Sequence, residues 1–81
     1  MKGDPLPALP AEPRPGRYRH YKGNEYRVLG LARHSETLEP LVVYEALYGE
    51  RGLWVRPATM FTEAIARDGG TRGPRFERIG D

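Results

Sequence analysis

Residues 16–33 read Gly16-Arg17-Tyr18-Arg19-His20-Tyr21-Lys22-Gly23-Asn24-Glu25-Tyr26-Arg27-Val28-Leu29-Gly30-Leu31-Ala32-Arg33. Two β-favouring runs flank Gly23-Asn24, a dipeptide suited to closing a tight hairpin. A two-residue loop at that point sets Lys22 opposite Glu25, Tyr21 opposite Tyr26, His20 opposite Arg27 and Tyr18 opposite Leu29. The first is an ion pair and the second an aromatic pair, each worth about 0.2–1 kcal/mol across a sheet. Val28 to Ala32 is apolar throughout, which predicts a strand covered on both faces. Gly30 within it marks a bulge or a sharp bend, as where a strand turns the corner of a small barrel.

Downstream, His34-Ser35-Glu36-Thr37-Leu38-Glu39-Pro40 is a polar connection, and Leu41-Val42-Val43-Tyr44-Glu45-Ala46-Leu47-Tyr48 is a third strand rich in β-branched and aromatic residues. Gly49-Glu50-Arg51-Gly52 turns the chain into a short fourth strand, Leu53-Trp54-Val55-Arg56, which Pro57 halts. Residues 57–67 read in two ways. Either Pro57 to Phe61 is one 3-10 turn before a fifth strand over Phe61 to Ile65, or the whole stretch is a helix with Met60/Ala64 and Phe61/Ile65 at i, i+4 spacing. The turn and strand fit better because Thr59, Thr62 and Ile65 are mediocre helix formers. Asp68-Gly69-Gly70-Thr71-Arg72-Gly73-Pro74 reads as a flexible loop, and Phe76 with Ile79 packs the last segment onto the core. Upstream, Pro5, Pro7, Pro10, Pro13 and Pro15 make residues 1–15 a flexible arm, extended or loosely draped, since proline removes backbone donors and holds φ near about −65°.

Four to five short antiparallel strands with hairpin connections and no long helix describe a mainly β protein. The expected organisation is an arm over residues 1–15 and a single small, SH3-like, partly open barrel over residues 16–81. A chain of 81 residues is one domain at most and buries only about 60% of the surface its unfolded form exposes. Absence of cysteine excludes disulfides, thiolate metal sites and cysteine nucleophiles. No run approaches the roughly 20 apolar residues of a membrane helix, and no apolar signal segment opens the chain, so a soluble cytoplasmic protein is expected. The net charge of +2 does not by itself argue for nucleic acid, although a pI near 9.2 leaves room for a local basic stripe. Of the 13 basic residues, only Lys2 and Lys22 are lysines. Arginine recognises planar carboxylates and phosphates; codon bias explains the same excess equally well.

Several runs, in order, resemble a known family. Gly16-Arg17-Tyr18-Arg19-His20-Tyr21-Lys22-Gly23, Ala32-Arg33-His34-Ser35-Glu36-Thr37, Leu41-Val42-Val43-Tyr44, Leu47-Tyr48-Gly49 and Leu53-Trp54-Val55-Arg56-Pro57 followed by Met60-Phe61 are similar to the bacterial domain-of-unknown-function family sixteen-fifty-three. The resemblance implies a small SH3-like barrel and no established activity. It covers roughly Gly16 to Ile65 and leaves the arm outside.

No catalytic constellation is recognisable. Arg33-His34-Ser35-Glu36 holds a nucleophile, a base and a carboxylate, but neighbours on an extended loop point apart where a triad must converge. The loop reads as a hydroxyl-stabilised turn or as a recognition loop. His20 and His34 sit beside Arg19 and Arg33, a poor setting for a metal, and instead suit turn capping or ring stacking. Nothing in the chain asks for a cofactor. Tyr18, Tyr44, Tyr48 and Trp54, edged by Arg19, Arg33 and Arg56, form either a stacking platform or simply the core. Alternation puts Trp54 on the face of Arg56, at a rim or groove. The expected ligand-contacting set is therefore Tyr18, His20, Arg33, His34, Glu36, Tyr44, Trp54 and Arg56. It would hold an extended peptide, a protein or a small planar anion. The alternatives are a nucleic-acid-binding barrel and an oligomeric interaction protein.

Overall fold

The computed structural model describes residues 5–66 and 70–81. Among them the order is β1 (Gly16–His20), β2 (Glu25–Arg33), β3 (Pro40–Ala46), β4 (Leu53–Pro57), α1 (Ala58–Phe61), β5 (Ala64–Ala66), β6 (Arg72–Pro74) and β7 (Phe76–Gly80). Five strands form an antiparallel sheet in the order β4-β3-β2-β1-β7, and β5 pairs with β6 as a separate two-stranded ribbon. The protein is mainly β and the barrel is open: β4 and β7 end the sheet without pairing to each other.

The first hairpin forms, but three residues out of the expected register. Arg19 faces Glu25, Tyr18 faces Tyr26, Arg17 faces Arg27 and Gly16 faces Val28. The loop is Tyr21-Lys22-Gly23, closed by hydrogen bonds from the Gly23 N–H to the His20 carbonyl and from the His20 N–H to the Asn24 carbonyl. Gly23 takes the left-handed position of this three-residue turn, φ 112°. An odd shift exchanges the faces of a strand, so Tyr18 rather than Tyr21 packs beside Tyr26. Gly16 is the second glycine the backbone requires: its φ is 147°, and a Cβ there would lie 2.7 Å from the Gly80 carbonyl oxygen.

β2 contains the bulge that Gly30 announces. Pairing with β3 jumps from Val28↔Tyr44 to Gly30↔Val43, leaving Leu29 as the extra residue. The jump changes parity, so Val28 and Leu31, three apart, both turn to the core. Leu29 is exposed, so the expected cover on both faces does not exist.

Pro57 ends β4, and the chain makes the single turn α1, closed by the Thr62 N–H and hydroxyl donating to the Ala58 carbonyl at 3.1 and 3.0 Å. The turn-and-strand reading is the right one of the two, with an α-helical turn and with the strand at Ala64–Ala66. Part of the glycine-rich tail, Arg72–Pro74, is the partner strand β6, while Asp68 and Gly69 lie outside the described residues.

One cluster forms the core: Tyr18, Val28, Val42, Tyr44, Ala58, Phe61 and Phe76, with Tyr26 and Leu31 packed on it. The rings of Phe61 and Phe76 stack at 4.1 Å, and Tyr18 meets Phe61 edge-on at 5.4 Å. Phe76 is buried as expected, and Ile79 half-buried.

Candidate functional site

β4 is an edge strand, and its side chains divide cleanly. Cross-strand partners share a face: Trp54 and Arg56 lie opposite Tyr44 and Val42 on the core-facing side, and Leu53 and Val55 lie opposite Glu45 and Val43 on the outer side. The main chain divides too. The Ala46 N–H donates to the Gly52 carbonyl, so directly bonded pairs recur at Tyr44/Trp54 and Val42/Arg56. Leu53, Val55 and Pro57 consequently aim their main-chain groups away from the sheet. Pro57, which has no N–H, occupies a position where β3 asks for none.

Trp54 is 57% exposed and Tyr48 nearly as much. They flank a cleft of about 290 Å³ completed by Ala46, the Gly49-to-Gly52 turn, Glu50 and Arg51. The indole folds over Gly52, 3.5 Å from where a Cβ would sit. The Tyr48 and Tyr26 hydroxyls lie 3.0 Å apart, and their rings meet edge-on at 5.6 Å. Burial, then the Tyr48 hydrogen bond, pushes Tyr26 up to about 12.

Phe76 carries two cationic or protonatable groups. The Arg56 guanidinium carbon is 5.6 Å from its ring centroid, and the His20 imidazole meets it edge-on at 5.0 Å. Arg56 makes no hydrogen bond or ion pair among the described residues. Burial, followed by the charges of Arg75, Arg56 and Lys22, holds His20 below its usual value. All three charges are positive, so an anion placed here relieves repulsion already present. Arg75 pairs with Glu63 at 2.7 Å, and its buried Nε has no hydrogen-bond partner among the described residues.

The expected site residues separate into three groups. Trp54, Arg56 and His20 gather on the core-facing side. Tyr18 and Tyr44, 5% and 6% exposed, are core and present no ring to solvent; the Tyr18 hydroxyl donates to the Arg14 carbonyl at 2.9 Å. Arg33, His34 and Glu36 sit at the β2–β3 connection, the far end of β3 from the Trp54 cleft. There Arg33 donates to the Pro7 carbonyl, and the His34 Nδ1 accepts from the Glu36 and Thr37 N–H groups at 3.1 and 3.3 Å. His34 caps its turn; His20 both stacks on Tyr21 at 4.6 Å and accepts from the Lys22 N–H. Sequence reasoning missed Tyr26, Arg75 and Phe76, whose only signal is the register and closure of β1 and β7.

Residues 16–78 match the family described as Protein of unknown function (DUF1653). The chain belongs to this family. A crystal structure of a DUF1653 protein from Bordetella bronchiseptica is 44% identical, covers 85% of this chain and 90% of its own, and superposes with a TM-score of 0.77. Comparison with curated proteins returned no match. The DUF1653 match begins at Gly16, the glycine pressed against Gly80, and runs to Arg78 in β7. Among the described residues no helix is long and apolar enough to cross a membrane.

Proposed function

We propose that this DUF1653 protein is a non-enzymatic binding module that takes an extended, carboxylate-bearing peptide along β4. The observation that carries the reading is the edge itself. Leu53 and Val55 turn main-chain donors and acceptors outward, while Trp54 stands bare beside Arg56, a guanidinium with no carboxylate partner among the described residues. An added strand pairs with the former groups, and its side chains reach the Trp54–Tyr48 cleft and Arg56 on one face. Aromatic and arginine anchors are the residue types that dominate such contacts.

Nucleic acid is the weaker reading. Arg17 and Arg19, the strongest basic pair on β1, both lie against Glu25, at 3.8 and 3.5 Å. On this face, where Arg51 also pairs with Glu45 at 3.8 Å, carboxylates break up the cationic track that a phosphate backbone would follow.

Trp54 is the sole tryptophan, so its emission reports on the site directly. The probe is a mixture of acetylated hexapeptides alternating Val or Thr with Asp, added to labelled protein while amide shifts and emission are followed. Movement of Leu53 to Arg56, diminished in Arg56→Gln, is the expected result. Shifts confined to other strands, or a site that answers only to oligonucleotide, would remove the proposal.

A further inference from the structure

The arm supplies an independent observation. From Pro5 to Pro15 three of its carbonyls are captured by side chains of the barrel. Arg33 donates to Pro7 through Nε and Nη2 at 3.1 and 2.7 Å, Tyr18 donates to Arg14 at 2.9 Å, and Arg78 donates to Pro15 at 3.3 and 3.1 Å. Pro13 is buried and Leu9 half-buried. Against Leu9 lies a cleft of about 370 Å³ whose barrel wall is Pro40, Ala58, Thr59 and Thr62. Against Pro13 lies another of about 290 Å³, walled by Tyr18, Phe61, Phe76 and Arg78.

This is the chemistry that reads proline-rich chain. Proline lacks an N–H, so a segment in which it recurs offers a receptor mainly carbonyls and ring faces, and its stiff extended form loses little entropy on docking. The barrel answers with donors alone, two arginines and a phenol, set between apolar clefts.

We infer that this face is a second binding site, specific for proline-rich extended segments, and that the chain's own arm is its resident occupant in cis. The arm is tethered, so its effective concentration at the face is in the millimolar range typical of short linkers. A competitor in trans must match that. The site shares no contact with the β4 edge except through the core, and its failure leaves the β4 reading untouched.

The test uses the full chain. It has no cysteine, and Leu6 is exposed, so Leu6→Cys carries a single spin label. Amides of Arg33, His34 and Ala58 to Thr62 should broaden. An unlabelled peptide of residues 5–15 at about 10 mM, above the effective concentration of the arm, should restore at least half of the lost intensity. The same peptide with its prolines replaced by alanine should not. Arg33→Ala should reduce the broadening at the β2–β3 connection several-fold while core amides keep their shifts. Absence of broadening, no restoration by the proline peptide, or equal competition by the alanine version would each overturn the inference.

Discussion

β1 and β4 are written in the same alphabet, Gly16-Arg17-Tyr18-Arg19-His20 against Leu53-Trp54-Val55-Arg56-Pro57, yet they meet opposite fates. Tyr18 is 5% exposed and Trp54 57%. Both rings point to the core-facing side. The difference is neighbours: β1 lies between β2 and β7, and β4 has β3 alone. Over β1 the ring of Tyr18 is roofed edge-on by Phe61 of α1, in the cluster that Phe76 of the flanking strand β7 completes. On β4 nothing comparable covers Trp54, and its unpaired side leaves a row of main-chain groups open; on the other edge, β7, Phe76 is buried under Phe61. Composition marks aromatic and arginine-rich strands as candidates, and position in the sheet together with what packs over each strand decides which ring is free to bind.

The sharpest way to break this contrast is to truncate both rings. Tyr18→Ala should lower stability by about 3–5 kcal/mol, the range for emptying an aromatic site in a core. Trp54→Ala should change it by no more than about 0.5 kcal/mol, as at an exposed position. Urea unfolding of both variants reads the difference, and similar losses would mean that Trp54 is structural. Next in size is Gly16→Ala, which places a Cβ against the Gly80 carbonyl at a φ that side chains rarely adopt. It should cost about 1–3 kcal/mol and loosen the β1–β7 pairing that distinguishes β1 from an edge. Hydrogen exchange at Tyr18 and Arg78 would register it.

Smaller effects come from charge. His20, at the end of β1, is held below its usual value by burial and then by Arg75, Arg56 and Lys22. Below the ordinary histidine range the unfolded chain therefore binds a proton that the folded chain resists. Stability should fall as pH drops from about 6.5, the unperturbed histidine value, and level off below the folded value. His20→Gln should flatten that slope in a pH series of denaturation curves. Arg56→Gln, which removes one repelling charge contributed by β4, should raise the His20 titration midpoint seen by NMR. An unchanged midpoint would show that Arg56 and His20 do not share a field, and would cut the link between the two strands.

Much of the architecture was readable from residue patterns. Proline and glycine punctuation located the β1–β2 and β3–β4 turns, Gly30 announced the β2 bulge, and Pro57 stopped β4, but the same punctuation read Arg72–Pro74 as loop where β6 forms. The hairpin register was not readable, because Gly23-Asn24 satisfies both a two-residue and a three-residue loop, and the choice rests on which tyrosine reaches the core. In the site, alternation along β4 placed Trp54 and Arg56 together on one face. It had no means of separating Tyr18 and Tyr44 from them, since a ring that packs and a ring that binds are the same residue type. Arg33 and His34 were marked by an unusual loop, and their partners, the Pro7 carbonyl and the turn amides, lie in main chain that carries no sequence signal.

What the amino-acid order determined by itself is the set of local constraints: where glycine leaves the backbone free to turn, where donors are missing, and which faces of each strand are apolar. These follow from steric and bonding properties of single residues and their nearest neighbours. What only the tertiary structure decided is the order β4-β3-β2-β1-β7, and with it which edge stays open, which aromatic is roofed, and where the proline arm comes to rest. Those outcomes depend on contacts between residues tens of positions apart, and their energies exist only once the chain has closed.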